Sequence, residues 1–255
     1  AYTLTPSKSD AVRGVSAYDA SLALQHAAGA ATLSGAAFTA ADVNGSGEIT
    51  AMDAFYILQK AVDLIPVPFP GAGQVWAFTP ASRTYADLAS NQSGQDFTAI
   101  LLGDPSGNWA SATTRAADAA DAPLLLRFAP TVGAVVTATL WLTGDIGTIH
   151  AVDLALQGAG TTVQSIDVAL DPRAAGWIEA ANVQADGRIH LALAGAQPVT
   201  GAGALAVLRF TLVEPDASLQ LAASGAALDE APAAVQVEQE TPNAARSVFL
   251  PLLAR

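Results

Sequence analysis

The chain has 255 residues, of which 51% are hydrophobic and only 13% are charged, so it is globular rather than disordered and has room for one large or two ordinary domains. It carries 23 acidic and 11 basic side chains, a formal charge of -12 that repels phosphate backbones and anionic lipid. We therefore expect neither a nucleic-acid partner nor a membrane partner. The absence of cysteine excludes disulfides, thiolate metal sites and cysteine nucleophiles.

The start of the chain does not have the pattern of a secretory signal. Residues 1–10 lack the basic start and apolar run of a signal peptide, and we expect the chain to be a fragment of a longer one. Apolar runs such as 248–253 are far too short to span a bilayer.

Residues 15–65 predict helices built on an internal repeat. The segment 15–25 matches 49–59 at a constant offset of 34 positions. Ser16 and Thr50 stand where an N-cap belongs, and apolar residues recur at helical spacing after each of them. Two units are too few for a solenoid. The prolines and glycine of 66–71 then predict a stiff, extended linker.

The rest of the chain has the sequence pattern of a β protein. Two short strands are predicted at 74–78 and 97–102. From about residue 121, strand-like runs are separated by Gly, Asp, Asn and Pro, and the clearest are 135–142, 149–156, 163–170, 187–193, 205–213 and 218–222. Alternation such as Val152/Leu154/Leu156 indicates strands with one buried face, and the series predicts an antiparallel sandwich.

The strongest local motif is the twelve-residue segment 42–53. Oxygen-bearing side chains stand at positions 1, 3 and 5, glycine at 6, an apolar residue at 8 and a carboxylate at 12. This spacing wraps oxygen ligands around one point, as a hard cation such as Ca²⁺ requires. The predicted ligands are Asp42, Asn44, Ser46, the backbone carbonyl of Glu48, Thr50 through water, and Asp53. The alternative is a polar turn that caps a helix.

Two weaker metal candidates lie elsewhere. In the first repeat the same register gives Asp10, Ser16 and Asp19, but Lys8 at position 1, Val12 at position 5 and Arg13 at position 6 spoil the ligand set. This favours a loop that has kept its helix and lost its ion. Asp104 opens the segment 104–108, which could place oxygens on a cation but is typical of a plain turn.

Residues 8–65 resemble a dockerin, the paired-loop module of bacterial surface assemblies, through the 34-residue duplication and the Asp42-x-Asn44-x-Ser46-Gly47 loop. The second repeat matches well, and the first is degraded. In dockerins, positions 10 and 11 of each loop contact the partner. The resemblance thus implies partner contacts by Ala17 and Tyr18 and by Ala51 and Met52. The alternative is that Tyr18 and Met52 pack the local core.

Residues 121–240 resemble a cohesin, the nine-stranded jelly-roll receptor for dockerins, through the segments 134–140, 187–193 and 203–210. Related carbohydrate-binding sandwiches are the alternative. The predicted fold is therefore mainly β, a small helical dockerin-like EF-hand module plus a cohesin-like jelly-roll β-sandwich. The predicted divisions are the helical module at 1–66, a Pro-rich linker and short β connector at 67–120, the sandwich at 121–240 and a tail at 241–255.

We predict no catalytic residues. The three histidines, His26, His150 and His190, stand in separate segments without zinc-ligand spacing, and neither a G-x-S-x-G elbow nor a P-loop occurs. The four tryptophans leave a sugar-stacking platform open, and Trp141 is a candidate because it faces opposite to Leu140 and Leu142.

The sequence thus predicts a non-catalytic interaction or scaffold protein of the bacterial surface or extracellular space, stabilised by one Ca²⁺ with a second left open. Its partner would be a protein of the cohesin or dockerin type, another copy of this chain included, and docking within one chain is equally permitted. The alternative is a carbohydrate-binding or structural accessory region of a larger secreted polysaccharide-active enzyme, with a polysaccharide as ligand.

Overall fold

The computed structural model describes residues 1–9, 14–88, 90–109, 122–129, 133–144, 146–159, 163–215 and 219–238. Candidate ligand Asp10 and the C-terminal tail lie outside these ranges. The described residues form a mainly β structure with three helices near its N-terminus: α1 (Ala17–Ala27), α2 (Gly35–Ala41) and α3 (Ala51–Ala61). None of these helices is long and apolar enough to cross a membrane.

The first and third helices begin where the repeat predicts. Ser16 caps α1 and Thr50 caps α3, each through a reciprocal capping box with the aspartate three residues later, so the predicted N-caps are confirmed. Helix α2 was not predicted, because its seven residues are too few to show a helical period.

Two short strand pairs flank the helices. Strand β1 (Tyr2–Leu4) pairs with β3 (Arg83–Tyr85), and β2 (Trp76–Thr79) pairs with β4 (Thr98–Leu101), both antiparallel. Side chains after α3 join the buried helical core, namely Phe69, Ala77, Ile100 and Leu102. The segments 67–77 and 100–102 therefore pack onto the helices.

The larger part of the chain is a two-sheet β-sandwich. Its strands are β5 (Leu124–Phe128), β6 (Val135–Leu142), β7 (Thr148–Ala159), β8 (Val163–Leu170), β9 (Ile178–Val183), β10 (Arg188–Thr200), β11 (Gly203–Leu212), β12 (Gln220–Leu228), the two-residue β13 (Ala231–Pro232) and β14 (Val235–Glu238). The front sheet has the order β13-β12-β7-β10-β9, and the back sheet has the order β14-β5-β6-β11-β8. All pairs are antiparallel except β14 with β5.

The sandwich core lies between the two sheets and follows the predicted alternation. Val152, Leu154 and Leu156 of β7 point into it, and so do Leu140 of β6 and Phe210 of β11. The same period of two sends the intervening residues of β7 to the outer face of the front sheet. That outer face is where the helices lie.

Candidate functional site

The outer face of the front sheet is lined by alanine where the helices cover it. Ala151 of β7, with Ala192 and Ala194 of β10, is fully buried, and Ala180 of β9 is 6% exposed. These residues belong to the same buried cluster as the helices. Because a methyl group is short, two helices can approach the sheet closely and exclude water over a flat surface.

The helices present a matching small and apolar surface. Helix α1 buries Ala17, Ala20, Ala23 and Leu24, and α3 buries Ala54, Ile57 and Leu58. The spacing of three and four residues places each set on one helical face. The buried faces of α1 and α3 contact each other and also the outer face of the front sheet. The helices and this face of the sandwich therefore share one buried core.

Two polar contacts fix the helices in register on the sheet. The backbone amide of Ala17 donates to both carboxylate oxygens of Asp153 on β7, at 3.1 and 3.2 Å. At the C-terminus of α3, Nδ2 of Asn182 on β9 donates to the carbonyl of Val62 at 2.9 Å. Burial raises the pKa of Asp153 to about 7, against the lowering effect of the Ala17 amide.

A second set of polar residues closes the seam between α1, the loop after β4 and the turn between β12 and β13. We call it the seam cluster; its members are Ser16, Asp19, Asp104, Ser106 and Glu230. Oε1 of Glu230 lies 2.9 Å from both serine hydroxyl oxygens. The hydroxyl of Ser16 also lies 2.9 Å from Oδ2 of Asp19, and that of Ser106 lies 3.0 Å from Oδ1 of Asp104.

The segment 42–53 is folded into a tight loop by its own side chains. Asp42 accepts hydrogen bonds from the backbone amides of Ser46 at 3.0 Å and Gly47 at 2.8 Å. The Oδ1 atom of Asn44 accepts from the Ser46 amide at 2.8 Å. Gly47 has a φ of 88°, which favours glycine at this turn.

The closing carboxylate of this loop also caps the next helix. Asp53 is fully buried and accepts from the backbone amides of Asn44 at 3.2 Å and Thr50 at 2.9 Å. The hydroxyl of Thr50 donates to it at 2.8 Å, and Glu48 is exposed. Oxygen atoms from both ends of the loop are thereby gathered, and an all-oxygen set of this kind suits Ca²⁺.

The donor set of the loop is weakly charged. No three His, Cys, Asp or Glu side chains gather into a metal-binding group within the ranges that the structure describes. An ion in the loop would therefore depend on Asp42 and Asp53, helped by amide, hydroxyl and backbone oxygens. The weaker candidates Ser16, Asp19 and Asp104 are occupied instead by the α1 cap and the seam cluster.

The four residues at partner-contact positions fall into two environments. Ala17 is fully buried at the sheet, and Tyr18 beside it is half-buried. Ala51 and Met52 face solvent, with Met52 52% exposed. The first repeat therefore places its Ala17 against the sandwich, and the second repeat leaves its equivalent positions open.

Sequence reasoning missed Asp153 and Glu230 as interface residues. Asp153 stands between inward-pointing Val152 and Leu154, which assigns it to the outer face but says nothing of a helix above it. Glu230 lies 214 positions from Ser16, its contact across the seam. No local pattern links residues so far apart.

The tryptophans lie in three settings. Trp76 and Trp109 meet edge to face at 5.3 Å, with Nζ of Lys8 4.9 and 4.7 Å from their ring centres. Trp177 is buried and donates from Nε1 to the carbonyl of Gln197 at 2.8 Å. Trp141 is half-buried on the outer face of the back sheet.

No protein-family model matches the chain, and no curated protein matches it. Solved structures similar to it include cohesins. The cohesin module of a family 33 glycoside hydrolase from Clostridium perfringens is 12% identical, with a TM-score of 0.35 over 47% of this chain and 99% of that one. A non-cellulosomal cohesin from Archaeoglobus fulgidus is 15% identical, with a TM-score of 0.32 over 46% and 87%. The third ScaB cohesin of R. flavefaciens, in complex with a group 1 dockerin, is 13% identical, with a TM-score of 0.33 over 49% and 100%.

Proposed function

We propose that this chain is a non-catalytic protein–protein interaction module in which a dockerin-like helix pair docks on the cohesin-like sandwich of the same chain. The observation that carries the proposal is the complete burial of Ala192 and Ala194 of β10 on the outer face of the front sheet, in one cluster with the helices. A sheet face of alanines is poorly suited to solvent and well suited to a closely approaching helix. The sequence resemblances to dockerins and cohesins support the same assignment.

We also propose that the loop 42–53 holds one Ca²⁺, with Asp42, Asn44, Ser46, Asp53 and the Glu48 carbonyl as ligands and Thr50 acting through water. The support is the spacing of the oxygens and a loop already folded around Asp42. An ion there would fix the start of α3, because Asp53 belongs to both the loop and the α3 cap. Calcium would thus stabilise the helix pair and, through it, the docked arrangement.

The setting we propose is the bacterial cell surface or extracellular space. The acidic charge and the all-oxygen cation loop suit calcium-rich surroundings, and the dockerin and cohesin resemblances point to surface assemblies. With its own helices on the front sheet, the chain would act as a self-docked spacer or scaffold unit. A partner of the cohesin or dockerin type would bind by replacing one half of this contact.

The experiment that tests the docking is the substitution Ala192→Arg in the full chain. A long charged side chain cannot fit beneath α1, so we expect the helices to leave the sheet while the sandwich core persists. Hydrogen exchange measured by mass spectrometry should show lost protection in Ala17–Ala27 and retained protection in β6 and β11. The matched control is Ala169→Arg, because Ala169 is exposed on β8.

Light scattering after size exclusion gives the second readout. Docking within one chain predicts a monomer at every protein concentration. A dimer that grows with concentration would assign the same contact to two chains, and full protection of α1 in the Ala192→Arg variant would reject the interface.

A further inference from the structure

The seam cluster has fewer protons than its short contacts require. Four oxygen–oxygen contacts of 2.9–3.0 Å join the hydroxyls of Ser16 and Ser106 to carboxylate oxygens of Asp19, Asp104 and Glu230. Each hydroxyl has a single proton to donate. With all three carboxylates ionised, only two of the four contacts are hydrogen bonds, and the other two set lone pairs against each other.

A proton bound by the cluster removes most of this conflict. The added proton on Asp19 is donated to the Ser16 hydroxyl, Ser16 donates to Glu230, and Ser106 donates to Asp104. Three of the four contacts become hydrogen bonds. Because the carboxylates interact strongly, the proton belongs to the cluster as a unit.

The surroundings of the cluster favour the protonated form. Burial raises the pKa of Asp19 well above its ordinary value, with further raising by the charges of Asp104 and Glu230. Burial also raises the pKa of Asp104, against the lowering effect of its hydrogen bonds. Of the neighbouring titratable groups, Tyr18 on α1 and Asp153 on β7 interact electrostatically with members of the cluster. Asp229 adjoins Glu230 in the turn before β13 and lies 3.8 Å from His150 on β7. Lys8 lies over the ring of Trp109, whose backbone amide donates to Asp104.

The backbone holds Glu230 in place at a conformational cost. Asp229 and Glu230 have φ values of 46° and 67°, in the left-handed region that side-chain-bearing residues rarely adopt. Asp229 is anchored by the amides of His150 at 2.9 Å and Ala151 at 2.8 Å. This turn directs the Glu230 carboxyl to the two serines of the seam cluster. Glycine would adopt the same φ values at lower cost, but it has no carboxyl group to make these contacts.

We propose that the seam cluster is a pH-sensitive latch, in which a shared proton ties α1 to the sandwich and its loss loosens the docked helices. This inference rests on the proposed function, since it concerns the regulation of that docking. The direction follows from linkage: the docked state binds protons that the open state releases, so docking is strongest at low pH and weakens as pH rises.

The test is Glu230→Gln, which removes one of the negative charges that favour the bound proton and places an amide donor beside the serine hydroxyls. Protection factors for α1 amides, corrected for the intrinsic pH dependence of exchange, are measured at pH 5 and pH 8 with chelator and again with calcium. We expect the protection of α1 to fall from pH 5 to pH 8 in the unmodified chain and to fall clearly less in the variant. The matched control, Glu238→Gln on the back sheet, should behave like the unmodified chain.

Two outcomes would overturn the latch: equal protection of α1 at both pH values, or a pH dependence of Glu230→Gln as steep as that of the unmodified chain. Should Glu230→Gln fail to fold, Asp104→Asn gives the same test at another member of the cluster. The Ala192→Arg variant separates the two proposals. If Ala192→Arg exposes α1 while the unmodified chain shows no pH effect, the docking proposal stands and only the latch proposal fails.

Discussion

Asp153 shows how a single carboxyl group links docking to solution conditions. It lies beneath the first turn of α1 and accepts the Ala17 amide with both oxygens. Its pKa, raised by burial from 3.8 to about 7, means that the folded chain holds a proton which the unfolded chain has released. Its contribution to stability is therefore complete below pH 4 and is lost as the pH rises from about 4 to about 7.

The substitution Asp153→Asn should remove this pH dependence. Asparagine keeps an acceptor for the Ala17 amide but cannot ionise, so the variant should lose less stability than the unmodified chain between pH 4 and pH 7. Thermal unfolding at both pH values checks this, with about 2–4 °C in Tm for each kcal/mol. Equal losses in the two proteins would show that Asp153 does not titrate in this window.

Substitution of Asp42 tests whether the loop 42–53 binds calcium. Removal of its carboxylate in Asp42→Ala takes away one of the two charged ligands, so calcium should no longer raise the Tm. In the unmodified chain, calcium at a hundred times its Kd should add about 2.7 kcal/mol, or about 5–10 °C. The control is Asp63→Ala, because Asp63 lies beyond α3 and pairs with Lys60 at 2.5 Å. A calcium response that survives Asp42→Ala would place the ion elsewhere.

At the scale of elements, the packing of β10 against Trp177 requires a glycine at position 195. A Cβ added at Gly195 would collide with the indole ring of Trp177, which is buried and hydrogen-bonded to Gln197. We expect Gly195→Ala to reduce the free energy of unfolding by about 1–3 kcal/mol through overpacking. Gly225→Ala on β12 is the matched control, since nothing lies within 4 Å of its added Cβ. Equal urea midpoints for the two variants would contradict this account.

The sequence predicted those elements whose signals are local. The caps at Ser16 and Thr50, the 34-residue spacing of α1 and α3, and the bounds of β6 and β8 all follow from short patterns. Strand β9 was not predicted, because its sequence, IEAANV, is weak in β-formers and its place depends on pairing with β10. The seam cluster escaped prediction for the same reason, since its members come from three distant segments.

At the scale of the whole molecule, the helix pair and the sandwich are joined by a shared core and by polar contacts at both ends. The alanine face, the Asp153 contact and the Asn182 contact each connect residues more than a hundred positions apart. The resemblances to dockerins and cohesins allowed docking either between chains or within one chain. The structure of a single chain brings the two parts together, which is why we propose internal docking.

Isotope-edited NMR of the full chain tests this docking most directly. We expect a nuclear Overhauser effect between the Ala17 amide proton and the β-protons of Asp153, because the amide nitrogen lies 3.1 Å from a carboxylate oxygen. In an equal mixture of labelled and unlabelled chains, the effect should arise only within labelled molecules. Its absence, or its appearance between differently labelled chains, would contradict a helix pair docked on its own sandwich.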